Sequence, residues 1–236
     1  MKLNKEVFDK QGYLLIKDII PSVILSPTRR LAINLKRDKI SELGKPREYG
    51  TGTYWRGIEM ASKLEEELLF SYLHPFMQQI VPVFLNTQKV FLFNDQVVVK
   101  LPKEEFAFPE HFDNQYGPDP EGALKGDFQT INFMWALTNT SKESGALEIK
   151  NKETGNWDLV EAEVGDIIAI DGNTLHRSDH NTTDQIRAMY ACVYSTKQMD
   201  FDGFHNRQWK FCNCKNGIQN RKLPKNLDPL STVQSK

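Results

Sequence analysis

Gly165-Asp166-Ile167-Ile168-Ala169-Ile170-Asp171-Gly172-Asn173-Thr174-Leu175-His176-Arg177-Ser178-Asp179-His180-Asn181, followed by Arg187, carries the most information in this chain. Gly165-Asp166 reads as a turn opening an apolar, β-branched strand over Asp166–Ile170. A second, polar strand carries His176 and Ser178. Asp179 to Asp184 is a cluster of turn formers. If that cluster closes a hairpin centred between Asn181 and Thr182, His176 falls opposite Arg187 and Ser178 opposite Gln185. Side chains directly opposite share a sheet face. A histidine, a hydroxyl and a guanidinium would then converge on one cavity. Such a cavity suits a dicarboxylate that chelates a metal at one end and meets the bidentate arginine fork at the other. 2-Oxoglutarate beside iron fits that description.

Further ligands lie upstream, in His111-Phe112-Asp113. On a strand, residues two apart project from one face, so His111 and Asp113 can hold one ion together. His176, from a distant strand, completes two imidazoles and one carboxylate. This is the facial triad of non-haem Fe(II) oxygenases, with open positions opposite the protein ligands. With Asp113 filling its position, hydroxylation is favoured over halogenation.

Working outward, the chain reads as helices first and strands afterwards. A short opening element ends at Gly12, and Tyr13–Ile16 reads as a strand. Pro21 starts a helix carrying Leu31, Ile33, Leu35 and Ile40. A helical segment follows from Ala61 to about Leu85, interrupted at Pro75 and Pro82. Tyr49–Gly57, rich in glycine and aromatics, reads as a loop. From Gln88 onward, strand-like runs recur at Val90–Leu101, Phe128–Leu137, Ala146–Ile149, Trp157–Val160, Asp166–Ile170 and Arg187–Thr196. Short strands separated by turn clusters argue for a sandwich or barrel packed by N-terminal helices, an α+β arrangement.

Composition sets the outer bounds. The chain has 236 residues, 39% hydrophobic and 26% charged, with 30 basic and 31 acidic side chains. That length supports one domain with a substantial core, taken here as residues 1–236 with a basic segment from about residue 207. The near-zero net charge argues against a polyelectrolyte binder. No apolar run reaches membrane-span length and the first residues lack a signal-peptide core, so the expected location is cytoplasmic. Cys192, Cys212 and Cys214 make no disulfide framework and are read as free thiols.

His111-x-Asp113, the Gly165-Asp166 turn, and His176-x-Ser178 with Asn181 and Arg187 together resemble the phytanoyl-CoA dioxygenase family of Fe(II)- and 2-oxoglutarate-dependent oxygenases. Phe8-Asp9-x-x-Gly12-Tyr13-Leu14 and Ser144-Gly145-Ala146-Leu147 extend the resemblance over roughly Phe8 to Tyr194. It departs where many members carry a Pro-Gly-Ser-His turn; here the chain reads Glu148-Ile149-Lys150-Asn151. The resemblance implies a double-stranded β-helix, the jelly-roll or cupin-like core, with N-terminal supporting helices. It implies metal ligation by His111, Asp113 and His176, and 2-oxoglutarate contacts from Arg187 and Ser178. Gln96, by its place in the strand before the HxD motif, is a further cosubstrate candidate. The expected activity is O2-dependent hydroxylation of an unactivated C–H bond in a small molecule, with release of succinate and CO2. Two alternatives stand beside it: a jelly-roll protein that binds metal or 2-oxoglutarate without turnover, and a nucleic-acid-associated oxygenase using the basic tail. Gly117–Lys125, directly after the first two ligands, is expected to form a lid.

Overall fold

The structure, a computed structural model, describes residues 3–39, 47–49, 53–55, 58–59, 61–113 and 129–196. The expected lid at Gly117–Lys125, the basic segment, Cys212 and Cys214 lie outside these residues.

Helix α1 (Lys5–Gln11) begins where the Asn4 side chain accepts the Val7 N–H, and ends at Gly12. Gly12 adopts φ +83°, the left-handed conformation that glycine takes without penalty. A Cβ there would collide with Thr174 Oγ1 and approach Lys152 Cδ to 2.9 Å. Gly12→Ala is therefore expected to cost about 1–3 kcal/mol from its backbone conformation alone, visible as a lower melting temperature. Strand β1 (Tyr13–Ile16) follows, then helix α2 (Ser22–Lys39).

Two elements depart from the expectations. The Tyr49–Gly57 stretch, expected as a loop, begins at the end of strand β2 (Arg47–Tyr49) and contains its partner β3 (Thr53–Trp55), with β4 (Ile58–Glu59) after it. The Ala61–Leu85 segment is three helices: α3 (Ala61–Leu64), α4 (Leu68–Tyr72) and α5 (Pro75–Leu85). Pro75 starts α5 because its missing N–H is not needed at that position, and His74 caps the helix by accepting the Phe76 N–H.

The remaining strands are β5 (Phe91–Lys100), β6 (Phe108–His111), β7 (Thr130–Ala136), β8 (Leu147–Lys150), β9 (Trp157–Val160), β10 (Ile167–Asp171), β11 (His176–Ser178) and β12 (Arg187–Ser195). They form a major sheet, β1-β10-β7-β12-β5-β4, and a minor sheet, β6-β11-β8-β9, with antiparallel pairing throughout. This is the expected jelly-roll core.

Alternation along the central strands makes two cores. Val97 and Val99, Phe133 and Trp135, and Ala188, Tyr190, Cys192 and Tyr194 face the helices. Val98, Met134, Met189 and Ala191 face inward, against Leu147 and Ile149 of the minor sheet. Buried on both faces, these strands read as nearly continuous apolar runs. Buried polar groups pin the helices to the sheet: Asp95 accepts from Ser62 N–H, Ser62 Oγ and Tyr190 OH, each at 2.8 Å. A buried carboxylate is tolerable only when bonded in this way.

The expected hairpin does not form. β11 pairs with β6 and β8, whereas β12 pairs with β5 and β7. His176 stands opposite His111 and Ile149, Ser178 opposite Leu147, and Arg187 opposite Lys100. Residues 179–186 carry the chain from one sheet to the other. Asn181 holds that corner: its Nδ2 donates to the carbonyls of Lys100, Leu101 and Gln185, and its Oδ1 accepts from Thr183 N–H and Oγ1. With the corner's backbone groups satisfied by one buried side chain, the chain has no need of a two-stranded ladder there.

Candidate metal centre and cavity

The cavity opens between the two sheets. His176 lies on the central minor-sheet strand β11 and is 4% exposed. His111 closes the neighbouring strand β6. The β6–β11 register slips between His176 and Ser178, so that Phe108 and His111, three residues apart, both line the cavity. A bulge of this kind re-aims a side chain, and Pro109, which cannot donate to a ladder, sits inside it. Asp113 lies just beyond β6 rather than on it.

One ligand-type atom from each of His111, Asp113 and His176 lies within 4.8 Å of the others. Asp113 Oδ1 is 3.9 Å from His111 Nε2 and 3.7 Å from His176 Nε2. His111 Nδ1 lies 2.7 Å from the Pro109 carbonyl, and His176 Nδ1 lies 2.9 Å from that of Thr174. A carbonyl only accepts, so each ring carries a proton on Nδ1 and turns Nε2 toward the carboxylate. Burial, reinforced by the neighbouring His176, pushes the His111 imidazole down to about 4, which keeps it neutral. Two imidazole nitrogens and one carboxylate oxygen, backed by carbonyls that hold the rings, form a donor set that fits a divalent transition metal.

Arg187 lies across the cavity on β12. It is fully buried, and none of its three guanidinium nitrogens has a hydrogen-bond partner among the described residues. Burial alone lowers its pKa to about 10, so the group stays charged at neutral pH. Beside it, Lys100 Nζ donates to Ser178 Oγ at 2.8 Å and to the Asp179 carbonyl. Burial and the Arg187 charge push that ammonium well down. The buried charge of Arg187 suits this end of the cavity to an anion.

His111, Asp113, His176, Arg187 and Gln96 all line the cavity, together with Val98, Phe108, Asn132, Met134 and Ala191. About 420 Å3 of empty space lies among them, counting the open mouth. Ser178 is reached through Lys100 and does not itself line the cavity. Arg187 and His176 meet because two sheets face each other. They do not share a strand pair.

Asn132, which lines the cavity, and Lys100, which stands opposite Arg187, are the polar residues that sequence reasoning missed. The available signal was parity: Asn132 is in phase with Met134, and Lys100 closes the Val97-Val98-Val99 run in phase with Val98. His180, in the segment between the two sheets, is exposed.

No protein-family model matches the chain. A dioxygenase of Aspergillus fumigatus, af480, is 36% identical over 88 residues. That match covers 31% of this chain and 28% of the fungal protein's length. Among solved structures, the non-haem α-ketoglutarate-dependent carbocyclase SnoK from nogalamycin biosynthesis superposes with a TM-score of 0.68. It shares 18% identity, with 83% of each chain covered. EvdO2 from Micromonospora carbonacea var. aurantiaca, complexed with 2-oxoglutarate, gives a TM-score of 0.64 at 17% identity, covering 87% of this chain and 95% of that one. At these identities the likeness speaks for the fold, and the two-sheet core described above agrees with it: this chain has the double-stranded β-helix fold of the non-haem iron, 2-oxoglutarate-dependent oxygenases.

Proposed function

We propose that this protein is an Fe(II)- and 2-oxoglutarate-dependent oxygenase acting on a small molecule, with His111, Asp113 and His176 as metal ligands. The observation that carries the reading is Arg187, a buried guanidinium with no hydrogen-bond partner among the described residues, in the same cavity as the three-residue donor set. An unpaired buried charge is costly, and a dicarboxylate that also reaches the metal relieves it. His111 and His176 present Nε2, and Asp113 presents Oδ1. Arg187 receives the far carboxylate. Ser178 acts on that end through Lys100, which donates to its Oγ. Gln96 is placed to donate to a bound oxygen. Val98, Phe108, Met134 and Ala191 keep water from the reacting centre. With O2, iron and 2-oxoglutarate held there would supply the oxidising power to attack a C–H bond, the cosubstrate leaving as succinate and CO2.

Hydroxylation is the outcome we propose for that C–H bond, within one domain spanning residues 1–236. The carbocyclase name of SnoK marks ring closure as the competing outcome. Among the described residues, no helix is long and apolar enough to cross a membrane.

The test is a panel of small molecules incubated with Fe(II), 2-oxoglutarate and O2, following succinate and product mass. Coupled succinate and a product heavier by one oxygen atom are expected. Coupled succinate with a product lighter by two hydrogens would replace hydroxylation by ring closure or desaturation. Wild-type protein that binds neither Fe(II) nor 2-oxoglutarate would overturn the whole reading.

A further inference from the structure

The parity of β7 puts Asn132 on the cavity side with Met134. Its Nδ2 donates to Asp113 Oδ2 at 3.0 Å. A carboxylate only accepts, so the amide must present its nitrogen there. Asn132 Oδ1 is then buried with no partner among the described residues. A side chain kept for packing alone would not strand a polar atom in this way.

We propose that Asn132 is a positioning residue for the metal site: it ties down Oδ2 of Asp113 so that the carboxylate offers Oδ1 alone. This rests on the reading of His111, Asp113 and His176 as metal ligands. The Pro109 and Thr174 carbonyls fix the two imidazoles, and Asn132 does the same for the carboxylate. Asp113 follows a strand end and belongs to no ladder. Unrestrained, its carboxylate can rotate and chelate with both oxygens, closing a position that the cosubstrate requires. Tied to β7, in the middle of the major sheet, it cannot.

The test compares wild type, Asn132→Leu and Asn132→Ala. Metal-free protein is titrated with Co(II) against a competing chelator, followed by visible absorption, and melted in parallel without metal. Asn132→Leu is expected to weaken Co(II) binding by roughly 10–100-fold, the range for losing an outer-shell partner. Its metal-free melting temperature should hold or rise, because a buried unpaired oxygen has gone. Asn132→Ala should weaken Co(II) less, since a water can enter and donate to Asp113, yet it should melt lower because it leaves a cavity. The order of the two variants thus reverses between the measurements, which a merely structural role would not produce. Co(II) affinity and absorption unchanged in Asn132→Leu, with wild type binding Co(II), would overturn the role of Asn132 alone. So would losses of affinity that follow losses of stability in both variants. Wild type that fails to bind Co(II) would instead overturn the metal reading beneath it.

Discussion

Arg187→Met is expected to raise the 2-oxoglutarate concentration for half-saturation by roughly 30- to 4,000-fold while making the ligand-free protein more stable. The binding loss follows from cutting a buried charge pair on one side, which costs roughly 2–5 kcal/mol. The stability gain follows from what Arg187 lacks. Its Nε, Nη1 and Nη2 have no partners among the described residues, and burial alone brings its pKa from 12.5 to about 10. That shift corresponds to roughly 3 kcal/mol against the folded, charged form. For a cation whose pKa falls on folding, the penalty is complete below the folded value and is relieved only as pH rises through about 10. Neutral buffers therefore carry all of it. A methionine of similar length removes the charge and keeps the apolar stem. Arg187→Lys should recover only part of the binding, because an ammonium lacks the planar fork. Isothermal titration with 2-oxoglutarate on Co(II)-loaded protein, beside thermal melts without ligand, reads both effects. Unchanged 2-oxoglutarate affinity in Arg187→Met would remove the dicarboxylate from this end of the cavity.

Local signals made the strands and the ligand-type residues legible, but not how strands pair. Val90–Leu101 and Arg187–Thr196 announced β5 and β12 through long β-branched runs, and their inward residues followed from parity alone. The partner of β11 was misread because a turn-rich segment of eight residues, 179–186, looks alike whether it closes a hairpin or crosses between sheets. What separates the two is the set of bonds from Asn181 to Lys100 and Leu101, about 80 residues away in the chain. His176 and Arg187 still reach one cavity, because facing sheets converge their inward residues as paired strands do. β6 and β11 are four and three residues long, too short for a periodic signal, and β6 contains a proline and a bulge. Parity put Asn132 on the inward face with Met134, but nothing local marked it as the partner of Asp113. Its significance appears only when β7 lies within reach of the turn after β6. A similar limit applies to Lys100, whose partner Ser178 is 78 residues away.

His176→Ala is expected to abolish stoichiometric Fe(II) binding, a larger loss than the roughly 10–100-fold assigned to an outer-shell partner. The ligand-type residues are not equally placed. His111 ends an edge strand and Asp113 follows a strand end, whereas His176 sits between β6 and β8 and is the most buried of the three. Its ring is held through a chain of contacts: Nδ1 to the Thr174 carbonyl, and Thr174 Oγ1 to the Gly12 carbonyl at 3.0 Å. Asp171 N–H meets the same Gly12 carbonyl at 2.9 Å. The close approach that forbids a side chain at Gly12 thus also orients this imidazole. Alanine at 176 removes one of three donors and leaves a ring-sized gap beside the cavity. Added imidazole should enter that gap and restore part of the metal binding, which would separate a lost ligand from a damaged fold. Iron content after anaerobic loading and gel filtration, with and without imidazole, is the measurement. A His176→Ala protein that keeps full iron without imidazole would place the metal elsewhere. One that cannot be loaded but binds 2-oxoglutarate weakly through Arg187 would show the two ends of the cavity to be separately built, the metal end by the minor sheet and the anion end by the major one.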